Sequence, residues 1–152
     1  METTVEKPKN EPTTVQRLVS LPVKALTISQ PFASLIANGE KFVENRVWEC
    51  RYRGPLAIHA GKGTQYLDRQ ELKEYPHGGI VAIADLVACV ELEAVRLRAR
   101  AACHVLEVNR VDVDEFLNHE HTEGPWCWVL QNVRPCEFVP CRGAQGLWEY
   151  AG

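Results

Sequence analysis

Three of the four charged side chains in "NGEKFVENRVW" (38–48), Lys41, Glu44 and Arg46, fall where the surrounding pattern reads as a helix end entering a strand. Glu44 and Arg46 are two apart, so on a strand they share a face, and a turn before the strand can fold the long Lys41 side chain back toward them. Mixed charges converging in a shielded site orient a polar substrate or tune a base. On an open surface the same trio is an ion-pair cluster worth at most about 1 kcal/mol. Trp48 falls on the same face and offers a ring on which a nucleobase stacks, a contact worth about 1–3 kcal/mol.

The following strand brings more candidates. His59, in "LAIHAGK", lies near its end and reaches the Glu44/Arg46 face if the two strands pair, where it would serve as an acid or base. Lys62 follows in a glycine turn, and Arg51 and Arg53 beside the turn at Gly54-Pro55 would extend a positive track for a ligand. "AGKGT" (60–64) is not a phosphate-binding P-loop: Gly54 lies seven residues before Gly61 where five are needed, and Gly63 stands where a magnesium-binding Ser or Thr is required. "HEH" (119–121) reads as a polar loop. Of the six cysteines none forms a C-x-x-C pair, and Cys50, Cys89, Cys127 and Cys136 sit in or beside apolar runs, so buried reduced thiols are expected. No metal and no cofactor is expected.

These residues need elements to hold them. "VKALTI" (23–28) reads as a strand, and a helix follows from Pro31, with Phe32, Leu35 and Ile36 on one side and Gly39 placed to end it in a left-handed cap. From Phe42 the period is two, with Val43 and Val47 opposite Phe42, Glu44, Arg46 and Trp48. With a strand at roughly 55–60, residues 42–60 predict two neighbouring antiparallel strands. Residues 64–75 predict a short amphipathic helix. "GGIVAIADLVACVEL" predicts a central strand bent or bulged near Asp85, and "PWCWVLQNV" and "GLWEYA" predict aromatic-rich strands at the end. Residues 92–122 are the least legible, reading as one helix or strand and a long loop. Short strands with two or three flanking helices predict an α+β fold with a curled or barrel-like sheet.

The chain has 152 residues, 45% hydrophobic and 24% charged, which suits one domain with a real core. A net charge of -3 excludes a generally basic surface, so any nucleic acid binds locally, in a groove or pocket. The apolar run at 79–90 is too short for a bilayer, and the polar start lacks a secretory h-region. Residues 1–20 are expected to form a flexible arm, residues 21–152 the domain, and the protein is expected in the cytoplasm without membrane association.

The order of motifs in "LTISQPFASLIANGEKFVENRVWECRYRGPLAIHAGK" resembles the N-terminal half of an ASCH domain. That pattern has a Q-P-[WF] helix start, filled by Gln30, Pro31 and Phe32, and then G-x-K-x-x-E-x-R, filled by Gly39, Lys41, Glu44 and Arg46. A W-x-x-x-Y-R-G-P turn, with Trp48, Arg53 and Gly54, and an I-H-A strand end, with His59 and Ala60, complete it. The later strands extend the likeness to about Tyr150, with 92–122 as variable territory. The resemblance implies a PUA-like β-barrel related to folds that bind RNA or modified nucleobases, with the charged motif lining a central pocket. One branch resembles a 4-acetylcytidine amidohydrolase that uses a lysine, a threonine and a glutamate. Lys41 matches the lysine, Glu44 stands at the threonine, and no residue here aligns uniquely with the glutamate. Other members are linked to RNA cleavage or to coactivator complexes.

The leading expectation is therefore an RNA- or nucleotide-binding domain in which Lys41, Glu44, Arg46, Trp48, His59, Lys62 and Arg53 contact the ligand. The rival is a metal-independent hydrolase on a modified nucleoside or on RNA, with Lys41, Glu44 and His59 as its acid-base groups. A protein-interaction module, with no partner named by the sequence, is the third.

Overall fold

The computed structural model describes residues 13–152. The elements in chain order are α1 (Val15–Leu18), β1 (Val23–Ile28), α2 (Phe32–Ala37), β2 (Val43–Arg46), β3 (Gly54–Ala60), α3 (Glu71–Glu74) and β4 (Gly79–Glu91). They continue with α4 (Leu92–Arg96), α5 (Arg100–Val108), α6 (Val113–Asn118), β5 (Trp126–Pro140) and β6 (Leu147–Tyr150). The class is α+β: one six-stranded sheet in the order β2-β5-β4-β3-β1-β6, with short helices around it.

The long antiparallel pair β4/β5 is its spine. Their ladder shifts register three times, once on each side of Asp85 and once near Ile80, so the strand is irregular at Asp85, where a bend or bulge was expected. The Asp85 carboxylate accepts from Arg134 at 2.7 Å and Asn132 at 3.0 Å, which satisfies a charge placed at the irregularity. Apolar residues pack on both faces. One group, including Leu26, Ile58, Leu86 and Trp128, lies under α2, and a second, with Val43, Leu106 and Phe116, lies under α4–α6.

Three expectations change. The sheet is not closed into a barrel: its edges β2 and β6 share no ladder among the described residues. β2 and β3 are not neighbours either. β2 pairs antiparallel with β5, while β3 pairs in parallel with β1 and antiparallel with β4, because the apolar β4 and β5 occupy the centre and push the mixed-charge β2 to the rim. Lastly, the arm expected over 1–20 lies outside the described residues for 1–12, whereas residues 13–20 are attached. Thr13 bridges Cys136, and Val15 is fully buried beside Ile80 and Ile83.

Candidate functional site

The end of α2 delivers Lys41. Gly39, at φ +81°, lets the amide of Glu40 bond the Leu35 carbonyl at 2.9 Å while its own amide bonds Ile36 at 3.0 Å, the paired bonds of a Schellman turn. The Lys41 amide then also reaches Leu35, at 3.1 Å, and the chain turns into β2 with the Lys41 side chain only 3% exposed.

Glu44 is the hub of the charged trio. One carboxylate oxygen lies 3.5 Å from the Lys41 ammonium and the other 3.1 Å from Arg46 Nη2. Lys41 also donates to the Val43 carbonyl. Burial lowers the Lys41 pKa from its ordinary value, and Glu44 pulls it partly back. Arg46 Nη2 crosses the open seam of the sheet to donate to the Thr27 carbonyl of β1 at 2.9 Å. Both Arg46 bonds run through Nη2; Nε is buried with no acceptor, and Nη1 donates to no group among the described residues, so it is the donor left for a ligand.

The seam holds a cavity of about 420 Å³, a volume in the range of small-molecule sites. Phe32 and Tyr66 form an aromatic wall, with ring centroids 5.1 Å apart and edge to face, and Lys41 lies 5.8 Å from the Phe32 ring. His121, whose ring meets Phe32 edge-on at 6.4 Å, and Glu123 complete the lining. Their loop is stapled to β2 by Asn45, which donates to the His121 carbonyl at 2.8 Å and accepts from the amides of Glu123 at 3.0 Å and Gly124 at 2.8 Å. The Lys41, Glu44 and Arg46 positions expected from sequence thus meet in one pocket.

The other expected residues do not join them. Trp48 follows the end of β2, where the alternation breaks, and turns edge-on to Trp128 at 4.7 Å. Arg53 caps its own turn, donating to the Cys50 and Tyr52 carbonyls at 2.7 and 2.8 Å. His59 stands on β3 beside Thr27 of β1, away from the trio, because β3 does not pair with β2. Its Nε2 donates to the Cys141 carbonyl at 2.8 Å, which leaves Nδ1, in the neutral ring, to accept from the Thr27 hydroxyl at 3.2 Å. With both nitrogens committed, His59 positions the Cys141 loop. Lys62 lines a separate cavity with it.

Phe32, Tyr66, Asn45, His121 and Glu123 are pocket residues that were missed. Phe32 reads as helix core from its spacing, Asn45 falls on the Val43/Val47 side of the period-two run, Tyr66 lies in the stretch expected as an amphipathic helix, and His121 and Glu123 sit in a segment with no periodic signal. "HEH" instead contributes His121 to the wall, while His119 packs edge-on against Phe42 at 4.5 Å, its pKa lowered chiefly by burial. Among the described residues no group of three metal-ligating side chains converges, and no helix is long and apolar enough to cross a membrane. All six cysteines are unpaired, and the four expected inside are buried.

An α+β sheet with a charged pocket at its open seam defines the structural class. The ASCH domain model matches residues 26–140, so the chain belongs to the ASCH domain family. It is similar to the crystal structure of ASCH from Zymomonas mobilis, at 16% identity over 77% of this chain and 72% of that one, with a TM-score of 0.46. Two mutant structures of that Zymomonas mobilis protein match at TM-scores of 0.45 and 0.44, with 16% and 17% identity over 77% of this chain and 74% and 72% of theirs. No curated protein matches the sequence.

Proposed function

We propose that the seam pocket holds a single nucleobase of an RNA, nucleotide or modified nucleoside. The observation that carries this reading is the charge balance of the pocket. Lys41 and Arg46 are both engaged by Glu44, and Glu123 adds a second carboxylate, so the site has no free cationic surplus for a phosphate. It has instead donors and acceptors fixed beside an aromatic wall, the combination that reads a base edge and stacks its face. The remaining Arg46 donors address base carbonyls and ring nitrogens, and Glu44 and Glu123 address an exocyclic amine.

The test is a thermal-shift screen of common and modified nucleosides, 4-acetylcytidine among them, with product analysis of each mixture. Stabilisation by at least one nucleoside, lost in Phe32→Ala and Arg46→Ala proteins that still fold, supports the proposal. A screen with no shift from any nucleoside overturns it.

The lowered pKa of Lys41 favours a second reading, hydrolysis of a modified nucleoside without a metal. A desolvated amine beside Glu44 is suited to move a proton, and the Ser29 hydroxyl also lines the pocket, whereas Glu44 occupies the threonine position of the amidohydrolase branch. Turnover that disappears in Lys41→Ala supports hydrolysis. Binding without product in the wild type restricts the pocket to recognition.

A further inference from the structure

We infer that a second cavity, on the far side of Thr27, is the backbone-phosphate subsite of the same ligand, and that the protein therefore takes single-stranded RNA in preference to free nucleosides. The inference rests on the base-pocket reading above and adds the part of the ligand that lies outside that pocket.

This cavity, about 790 Å³, lies between the end of β3 and the loop after β5. Lys62 and Arg142 line it, and no Asp or Glu does. Among the described residues neither cation takes part in an ion pair, unlike Lys41 and Arg46. In a chain of net charge -3, two unneutralised cations on one concavity form a local positive field. The field suits the phosphodiester of a strand, the sequence-independent partner of Lys and Arg.

The backbone that carries them is held firmly. His59 Nε2 fixes the Cys141 carbonyl at 2.8 Å, and the Cys141 amide donates to Gly78 at 3.1 Å, so Arg142 leaves from an anchored point. Gly143 presses so closely that a Cβ there would stand 2.5 Å from Thr27 Oγ1 and 2.7 Å from His59 Cε1. Lys62 lies along Gly78, where a Cβ would meet its Cε at 2.9 Å.

Thr27 is the shared wall. Its carbonyl receives Arg46 on the seam side, and its hydroxyl joins His59 and Trp148 on the other. Both cavities include Thr27 in their lining. In the proposed arrangement a base fills the first cavity and its neighbouring phosphate the second, one on each side of this residue.

The experiment titrates the full chain with a labelled random-sequence single-stranded RNA hexamer at several salt concentrations, and separately with the component nucleosides. Wild type is compared with Lys62→Ala/Arg142→Ala and with the control Lys73→Ala, an exposed lysine of α3 outside both cavities. The double variant should bind the hexamer about tenfold more weakly at low salt. Its salt dependence should fall by roughly 0.7 per lost phosphate contact, roughly 1.4 in all. Nucleoside binding should be unchanged, as should both readouts in the control. A hexamer affinity and salt slope equal to wild type in the double variant overturn the inference. A hexamer that does not bind wild type at all overturns it too. Loss of slope in a protein that binds no nucleoside upholds the phosphate subsite and removes the base-pocket reading.

Discussion

The two cavities flanking Thr27 hold charge in opposite ways. In the seam pocket Lys41, Glu44 and Arg46 are paired with one another, and the ammonium of Lys41 is almost wholly removed from water. In the outer cavity Lys62 and Arg142 are exposed and outside any ion pair among the described residues. Buried charges need partners because desolvation would otherwise exceed any gain, so the seam trio is bound up with stability. Exposed cations carry no such obligation and are free to meet a ligand. The contrast separates a pocket that recognises by fixed geometry from one that attracts by field.

The largest effect expected from this contrast is at Glu44. Glu44→Gln leaves Lys41 buried without its counter-charge and should lower the unfolding free energy by about 3–5 kcal/mol. Lys41→Met leaves Glu44 paired with Arg46 and should cost about 1 kcal/mol or less. Urea denaturation measures both, and a Lys41→Met loss as large as that of Glu44→Gln would contradict Glu44 as the hub. Next is Gly143→Ala, where the added methyl has no room against Thr27 and His59; chemical denaturation should show a loss of about 1–3 kcal/mol.

The pH dependence follows from Lys41. Its pKa in the fold lies below the ordinary 10.5, so the unfolded chain binds more protons between those two values. Stability of the wild type relative to Lys41→Met should therefore rise as pH climbs through that window and should be lowest below it. A difference that stays flat or falls toward alkaline pH would mean that Lys41 is not desolvated. The smallest effect belongs to Lys62→Ala/Arg142→Ala, whose unfolding free energy should stay within about 0.5 kcal/mol of wild type because both side chains are solvated.

Legibility in the sequence followed the strength of local signals. The strand at Val23–Ile28, the helix ending at Gly39 and the entry of Lys41 were readable, because a period-two run and a glycine in the left-handed region are local facts. Strand order was not, since pairing of β2 with β5 joins residues far apart in the chain, and this misplaced His59. The helix expected over 64–75 shrank to Glu71–Glu74 because Asp68 and Glu71 bond each other's amides, at 2.8 and 3.2 Å, and start the helix late. Residues 92–122 hold three helices, and the sequence concealed the breaks. The reversals after α4 and α5 place Arg98 and Arg110 at φ 56° and 61°, where a glycine would have announced them. In the site, spacing put Glu44 and Arg46 on one face with Lys41 beside them but suited a surface ion-pair cluster equally, and the family motif made them pocket candidates, whereas the walls supplied by Tyr66, His121 and Glu123 depend on loops that only tertiary contacts position.

A structure of the protein with a bound RNA hexamer tests the division of labour most directly. The account predicts a base in the seam pocket, against Phe32 and within hydrogen-bonding distance of Arg46, and its adjacent phosphate beside Lys62 and Arg142. A phosphate seated on Lys41 and Arg46, or a strand that passes neither side of Thr27, would contradict it.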